Sequence, residues 1–244
     1  MAVLSHSDLL KLKRWPTPTV YNGWEQITQH DTACGSTNIE ETHDFMPDMG
    51  PMVGYAVTLV VEPSNPKHKL TSSWMDYYEY LASLPGPKIV CVQDLDKPQV
   101  IGSTWGEVTA NINRALGCVG TITDGGVRDI DGMENAGFKA IARRLAVGHA
   151  HARPVRWAQA VEIFGTKVCP GQLVHADAHG FLVVPDEDQA KLLDAVQFMD
   201  ELECDTMIAA ARQPFGRGRQ EILRDFGSAL ERLISESQER FAKP

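Results

Sequence analysis

The sequence predicts an α/β fold, because strand-like and helix-like patterns alternate along it. Short runs rich in β-branched residues, such as "GYAVTLVVE" at Gly54–Glu62, are typical of buried strands. Helical patterns and glycine- or proline-containing loops separate these runs. From Asp186 onward the apolar residues instead recur at helical spacing. These patterns indicate a sheet flanked by helices, followed by a helical C-terminal region.

The N-terminal half supplies the first elements of this fold. A short helix is predicted within residues 9–27, followed by a polar, turn-rich stretch at 31–53. The strand at Gly54–Glu62 ends at Pro63. Residues 72–86 then predict a helix that serines cap at its start and a Pro-Gly pair ends, and Lys88–Leu95 predicts a second strand.

The middle of the chain predicts a β-loop-α-β unit. A glycine-punctuated loop at Gly102–Gly106 leads into a helix, and that helix leads into a strand at Cys118–Thr123, which we expect to end at a Gly125-Gly126 turn. The apolar positions of the helix are Val108, Ile112 and Leu116. In such a unit the loop and the final turn lie at the same edge of the sheet, where α/β proteins bind their ligands.

The remaining chain predicts further short strands and then two helices. Strand-like segments occur at 139–147, 160–177 and 179–185, joined by glycine and proline turns. The two helices carry one apolar stripe each and are separated by a break at 214–218; the stripes are Leu193, Val196, Met199 and Leu202, and Ile222, Phe226, Leu230 and Leu233. We expect them to pack on the body of the protein or on a neighbouring subunit.

Composition narrows the class of protein. The chain has 244 residues with 43% hydrophobic and 23% charged residues, which is typical of one globular domain with a sizeable core. A net charge of -9 argues against a nucleic-acid partner, although Arg212, Arg217, Arg219 and Arg224 form a local basic cluster. The five cysteines include no C-x-x-C pair, so we expect reduced thiols. No segment resembles a signal peptide or a membrane span, so we expect a soluble cytoplasmic protein with no membrane partner.

The strongest candidate site combines Glu107, Arg128 and Asp129. The β-loop-α-β unit brings the loop at Gly106-Glu107 to the turn at Arg128-Asp129, although twenty residues separate Glu107 from Arg128. Two carboxylates suit Mg²⁺ or Mn²⁺, and the Arg128 guanidinium can hold a carboxylate or polarise a keto group. Backbone N–H groups at 106–109 add an anion site at the start of the helix. Such a pocket suits a small 2-oxo acid, whose enolate the cation and Arg128 would stabilise. The alternative is a surface ion pair between Arg128 and Asp129.

The stretch "WGEVTANINRALGCVGTITDGGVRDIDGM" resembles the signature of the RraA-like family, named for the regulator of ribonuclease activity A. That family includes the 4-hydroxy-4-methyl-2-oxoglutarate / 4-carboxy-4-hydroxy-2-oxoadipate aldolases, whose pattern is an acidic residue, twenty residues and then Arg-Asp. Here Glu107 stands where the aldolases commonly have Asp. "GYAVTLV" and "CPGQLVHADAHGFLVVP" resemble two further family motifs, although Gln172 replaces the usual Asp after Pro-Gly.

The resemblance implies a fold and a set of roles. It implies α/β, with a swivelling α/β/α core of the phosphohistidine-domain-like type, C-terminal helices, and assembly into trimers or hexamers. The whole chain, 1–244, would be a single domain, with its core at about 20–186 and a helical extension at 187–244. By resemblance, Asp129 binds a divalent metal cation, Glu107 holds it through water, and substrate binds Arg128 and the loop of Gly106, Glu107, Val108 and Thr109.

Other polar clusters offer weaker alternatives. His175, Asp177 and His179 alternate along a strand pattern as metal ligands can, but their position before a turn favours ordinary hydrogen bonding. His149 and His151 are expected in a loop that borders a pocket. A Schiff-base aldolase would need a desolvated lysine, for which Lys88, Lys139 and Lys167 are candidates. We also expect Trp105 to form part of the pocket wall.

The predicted function is a metal-dependent lyase of the class II aldolase type. It would cleave or decarboxylate a 2-oxo acid through a metal-stabilised pyruvate enolate, with a metal-bound water as proton shuttle. The alternative is a non-catalytic interaction protein that regulates a ribonuclease, but such a protein has no need of an acid at 107 with Arg128-Asp129. An acidic residue of an adjacent subunit, with Glu221 and Asp225 as candidates, is a further possible contributor to the site.

Overall fold

A computed structural model describes residues 4–68, 73–212 and 216–241. The strands are β1 (His43–Asp44), β2 (Met52–Val61), β3 (Lys88–Asp94), β4 (Ser103–Trp105), β5 (Cys118–Val127), β6 (Lys139–Leu145), β7 (Arg156–Trp157), β8 (Val161–Ile163), β9 (Thr166–Val168), β10 (Leu173–Asp177) and β11 (Gly180–Val184). The helices are α1 (His6–Leu12), α2 (Thr17–Ile27), α3 (Trp74–Ala82), α4 (Glu107–Ala115), α5 (Ile130–Asn135), α6 (Gln189–Glu203), α7 (Ala209–Arg212) and α8 (Arg219–Phe241). The prediction of an α/β fold is confirmed.

A mixed sheet forms the centre of the molecule, and within the described ranges it has nine strands. Its main path runs β1-β6-β5-β3-β2-β10-β11. Strands β2, β3, β5 and β6 are parallel neighbours, whereas β1, β10 and β11 are antiparallel to theirs. The short β4 pairs in parallel with the end of β5. The carboxyl ends of β3, β4 and β5 therefore meet at one edge of the sheet.

Strands β2, β3 and β5 are buried at nearly every position. The sheet is therefore covered on both faces, as is usual for parallel strands. On one face, residues such as Leu59 and Val92 pack against α3, α4 and α5. On the other face, residues such as Ile89 and Ile122 pack against the β8–β9 hairpin. A third cluster joins α1, α2 and α6 to the antiparallel end of the sheet. Helices α3, α4 and α5 thus lie on the face that leads to the candidate site.

The structure corrects three details of the predicted β-loop-α-β unit. Part of the Gly102–Gly106 segment forms β4 rather than an irregular loop. Gly125 and Gly126 lie inside β5, at a register irregularity in its pairing with β6, so the turn begins only after Val127. The predicted apolar position Val108 is 82% exposed. Glycine in an otherwise apolar strand marks a bulge as readily as a turn, which explains the second difference.

The C-terminal helices follow the predicted stripes only in part. Val196, Met199 and Leu202 of α6 are buried, as expected from their spacing. In α8, Phe226 and Leu230 are exposed, so packing of this stripe on another subunit remains a prediction. Pro214, in the predicted break, and Ser72, one of the predicted helix caps, lie outside the described residues; Ser73 caps α3. None of the helices in the described ranges combines the length and apolarity that crossing a bilayer requires.

Candidate functional site

The Arg128-Asp129 pair lies where β5 ends and α5 begins. The Arg128 backbone N–H donates to the Trp105 carbonyl (3.2 Å), which holds the end of β5 beside the end of β4. Asp129 adopts a left-handed backbone conformation with φ 54° and ψ 45°. Aspartate enters this region more readily than most residues because its short polar side chain can bond locally. The chain therefore turns sharply at Asp129, directly after the end of β5.

Gly106 brings the second segment of the site against Asp129. A Cβ atom at position 106 would lie 2.6 Å from Asp129 Oδ2, closer than any ordinary contact. Only a residue without a side chain allows this approach while Asp129 keeps its position. The Ser103 hydroxyl lies within hydrogen-bond distance of the carbonyls of Trp105 (2.6 Å) and Gly126 (2.9 Å) and donates to one of them at a time, which fixes the segment before Gly106. The structure therefore brings together the segments that the spacing predicts to meet.

The Arg128 and Asp129 side chains remain accessible to a ligand. Arg128 Nε lies 3.5 Å from Asp129 Oδ2, and their side chains are 37% and 46% exposed. Arg128 Nη1 also donates to the Val147 carbonyl (3.3 Å). An ion pair this long and this exposed contributes little to stability. The pair can therefore exchange its mutual contact for a bound anion and a bound cation.

Glu107 lies at the first position of α4. Its side chain rests against Gly132 of α5, where an added Cβ would come within 2.9 Å of Glu107 Cβ and Cγ. The Glu107 backbone N–H points to Asp129 Oδ2 at 3.4 Å. The Glu107 side chain is exposed and does not line the cavity that Asp129 borders, and its role in holding a cation through water remains a prediction.

The first turn of α4 offers fewer free N–H groups than the sequence predicts. The Gly106 N–H donates to Thr109 Oγ1 (3.0 Å), and the Glu107 N–H is directed at Asp129. Among the described residues, no acceptor bonds the N–H groups of Val108 or Thr109. Helix N-termini with free N–H groups attract anions. Two of the four predicted groups are thus left for a substrate.

These groups border a cavity of about 450 Å³. Gly106, Val108, Thr109, Arg128 and Asp129 form part of its wall. Trp105 also lines it, as predicted, and its buried indole N–H has no hydrogen-bond partner among the described residues. The sequence-predicted substrate residues, apart from Glu107, therefore share one cavity.

Several further residues line the cavity, and for Trp74, Tyr78 and Arg153 the sequence predicts no place there. Trp74 and Tyr78 of α3 line the cavity, as do His149, His151 and Arg153 of the loop after β6. The two histidines were expected to border a pocket, but nothing in the sequence spacing links Trp74 or Arg153 to position 129. Arg153 makes no ion pair with any residue in the described ranges. With Arg128, it gives the cavity a positive character in a chain of net charge -9, which favours an anionic ligand.

The donor set fits a hard divalent cation. Asp129 supplies one half-exposed carboxylate at the cavity, and Mg²⁺ commonly takes one or two protein carboxylates and keeps several waters. Within residues 4–68, 73–212 and 216–241, no three His, Cys, Asp or Glu side chains cluster closely enough to hold an ion. Mg²⁺ or Mn²⁺ at this cavity would therefore be held by Asp129 with water completing its coordination.

The alternative clusters have structural partners. His175 is buried, and its ring nitrogens bond Thr17 Oγ1 (2.9 Å) and the Leu12 carbonyl (3.2 Å). Burial lowers the pKa of His175 to about 4, so the ring is neutral. Asp177 accepts from the Thr17 N–H (2.7 Å) and from His179. The favoured reading of these residues, as hydrogen-bonding groups, is confirmed; they fasten the N-terminal helices to β10.

The candidate Schiff-base lysines lie away from the cavity. Lys88 and Lys139 begin β3 and β6, whereas Arg128-Asp129 follows the carboxyl end of β5. Lys88 donates to the carbonyls of Leu81 and Leu84, and Lys139 forms an ion pair with Asp44. Lys167 is exposed on the β8–β9 hairpin. Likewise Asp225, a candidate for completing a neighbour's site, pairs with Arg217 and Arg224 of its own chain.

Two buried carboxyls lie on neighbouring strands: Asp94 at the end of β3 and Asp124 within β5. The Asp94 N–H donates to Asp124 Oδ1 (2.7 Å), and Lys97 Nζ donates to Asp124 Oδ2 (2.7 Å). Burial, with the nearby Asp96 and Asp124 carboxylates adding to it, raises the pKa of Asp94 to about 7. Burial also raises the pKa of Asp124. Asp94 is therefore largely protonated in the folded protein at mildly acid pH.

This buried carboxyl makes stability depend on pH. Because the pKa of Asp94 is higher folded than unfolded, its contribution is complete below about pH 4 and is lost as the pH rises through 7. We expect Asp94→Asn to gain about 2 kcal/mol relative to wild type between pH 5 and pH 8. Urea unfolding at both pH values measures this, with the exposed Asp131→Asn as control. A difference between Asp94→Asn and wild type that stays constant with pH would contradict the assignment.

Comparison with known proteins places the chain in a family. The model of a family described as "RraA-like: Aldolase/RraA" matches residues 17–183. The chain belongs to the RraA-like family. This family includes aldolases and inhibitors of RNase E. Protein DlpA of Legionella pneumophila is 19% identical over 124 residues, a match that covers 50% of this chain and 20% of DlpA. The chain thus corresponds to only a small part of that relative.

Solved structures share the RraA-like fold. A structure described as one of novel cellulases from microbes associated with the gut ecosystem has a TM-score of 0.70 at 18% identity and covers 84% of this chain and 89% of its own. Streptomyces coelicolor RraAS2, described as an unusual member of the RNase ES inhibitor RraA protein family, has a TM-score of 0.62 at 18% identity, covering 84% and 96%. At this identity the likeness concerns the fold alone, and it supports the RraA-like core with C-terminal helices that the resemblance implies.

Proposed function

We propose that this RraA-like protein is a divalent-metal-dependent lyase that cleaves or decarboxylates a 2-oxo acid and releases pyruvate or a similar product. The observation that carries the proposal is the approach of Gly106 to Asp129 beside Arg128, at the wall of one cavity. A regulator that acts only through its surface has no need of this arrangement.

The reaction requires charge to be stabilised on a keto oxygen. When the bond between C3 and C4 of a 4-hydroxy-2-oxo acid breaks, its electron pair passes into the 2-oxo group and gives an enolate, while the C4 hydroxyl loses its proton and becomes a carbonyl. Protonation at C3 then yields pyruvate. A bound divalent cation supplies a Lewis acid for this charge. Loss of CO₂ from oxaloacetate leaves the same enolate, so decarboxylation follows from the same site.

The chain's own residues have distinct tasks in this scheme. Asp129 would hold the cation, and Glu107 would orient its waters. Arg128 would bind the substrate carboxylate through its planar guanidinium, giving up its long contact with Asp129. The free N–H groups of Val108 and Thr109 would add donors at the helix start. The protein would act as a homotrimer or homohexamer, with the exposed stripe of α8 among the surfaces available for assembly.

Metal removal tests the proposal directly. The protein is stripped with EDTA, and pyruvate release from oxaloacetate and from 4-hydroxy-4-methyl-2-oxoglutarate is followed with and without added Mg²⁺ or Mn²⁺. We expect release above a protein-free, metal-containing blank only when protein and metal are both present. Rates equal to that blank for both substrates would overturn the proposal and favour a non-catalytic ribonuclease regulator, which an assay of ribonuclease inhibition would then examine.

A further inference from the structure

Part of the cavity wall is aromatic. Trp74 and Tyr78 both line the cavity, and their rings stack with centroids 5.6 Å apart and an interplanar angle of 27°. They lie one helical turn apart in α3, so they present neighbouring rings to the same side. A flat apolar surface of this kind binds planar groups well.

The aromatic pair is held in place from behind. Ser73 caps α3 by accepting from the Met75 and Asp76 N–H groups (3.1 and 3.2 Å). Tyr77, between the two lining residues, is fully buried in the core and packs edge-on against Trp157. The rings are therefore positioned by the fold before any ligand binds, which reduces the entropy lost on binding.

The loop after β6, which also lines the cavity, is held in place by backbone hydrogen bonds. In the loop after β6, the His151 N–H donates to the Pro63 carbonyl and the Ala152 N–H to the His149 carbonyl (both 3.0 Å). The Ser103 N–H donates to the Gly148 carbonyl (3.0 Å), which ties this loop to β4. The cavity that these segments line has a volume of about 450 Å³. Binding sites of this volume hold ligands much larger than pyruvate.

The aromatic pair makes few polar contacts of its own. Among the described residues nothing bonds the Tyr78 hydroxyl, and burial raises the pKa of Tyr78 to about 12. Planar apolar groups can pack on the surface that this phenol ring forms with Trp74. The Arg128 and Arg153 charges at the same cavity disfavour a cationic ligand part.

We propose that the Trp74–Tyr78 surface selects 2-oxo acids that carry an aromatic or similarly planar apolar group beyond the 2-oxo acid end. This inference rests on the proposed function, because it takes from it the orientation of the substrate. In that orientation the 2-oxo acid end would lie at Arg128 and Asp129. For 4-hydroxy-2-oxo-4-phenylbutanoate, cleavage between C3 and C4 gives benzaldehyde and pyruvate. The C4 hydroxyl proton is lost, the bonding pair goes to C3, and a proton is added there, so no oxidant or reductant is needed.

Binding provides a test that does not depend on turnover. Calorimetric titration of the metal-loaded protein with phenylpyruvate and with pyruvate gives the ratio of their affinities. We expect wild type to bind phenylpyruvate about tenfold more tightly than pyruvate, and Trp74→Leu and Tyr78→Leu to lose most of that preference. Met75→Leu is the matched control, because Met75 lies on the exposed side of the same helix.

Turnover distinguishes failure of this inference from failure of the proposed function. If oxaloacetate is decarboxylated but phenylpyruvate and pyruvate bind equally, the aromatic selection is wrong and the lyase proposal stands. If the protein turns over neither oxaloacetate nor 4-hydroxy-4-methyl-2-oxoglutarate, but Trp74→Leu abolishes a preference for phenylpyruvate, the selection is correct and the lyase proposal fails. A preference that is equal in wild type and in both leucine variants would overturn the inference. Circular dichroism confirms that each variant is folded.

Discussion

Asp129→Asn should lower metal-dependent pyruvate release at least about a hundredfold, comparable to losing a principal group that stabilises developing charge. Asparagine has the shape of aspartate and tolerates the left-handed backbone that position 129 adopts, so the fold should be retained. What it removes is the negative charge that would hold the cation. Alanine would add backbone strain at φ 54° and confuse the two effects.

The matched control for this variant is Asp131→Asn. Asp131 is an exposed carboxylate in the first turn of α5, two positions from Asp129. Both variants remove one negative charge from the same helix start, so they change the general electrostatic field similarly. We expect Asp131→Asn to stay within about threefold of wild type. If Asp129→Asn matched Asp131→Asn in rate and in metal requirement, Asp129 would not be the metal-holding residue.

Lys139→Met should destabilise the protein by about 3–5 kcal/mol, the cost of leaving a buried charge without its partner. Lys139 Nζ lies 2.6 Å from Asp44 Oδ2 and donates to the Met46 carbonyl (2.8 Å), and the two charged side chains are only 2% and 3% exposed. Methionine keeps the length of the aliphatic chain, so the loss reports mainly the missing charge. Urea unfolding at pH 7 measures the change.

A double variant separates the ion pair from packing. In Lys139→Met/Asp44→Asn the remaining partner is neutral, so we expect it to be more stable than Lys139→Met alone. Lys167→Met, at an exposed position of the β8–β9 hairpin, should stay within about 0.5 kcal/mol of wild type. A loss below about 1 kcal/mol for Lys139→Met would show that water reaches Asp44 and relieves its burial.

The sequence predicts those parts of the molecule that depend on local pattern. The strands at β2 and β3, the helix α4 and the meeting of positions 106 and 129 follow from periodicity and from the geometry of a β-loop-α-β unit. β-branched runs and glycine-containing loops suffice for these. The site residues Gly106, Thr109, Arg128 and Asp129 accordingly lie around one cavity.

Features that depend on distant contacts were not predictable. The spacing that puts Val108 on an apolar face says nothing of whether another element covers it, and the structure leaves it exposed. Gly125-Gly126 has the composition of a turn, but pairing with β4 and β6 keeps the strand extended through it. Trp74, Tyr78 and Arg153 reach the cavity through the packing of α3 and of the loop after β6, which no local pattern encodes.

Because Gly106 lies so close to Asp129, a substitution at position 106 changes the site more than it changes the fold. An alanine there can be accommodated by swinging the Asp129 carboxylate aside, because the nearest atom belongs to a flexible side chain rather than to the backbone. The fold would hardly change on replacing Gly106 by alanine, yet the Asp129 carboxylate oxygen at the cavity would be displaced. A single methyl group at this position would thus abolish the proposed lyase activity while the fold is retained.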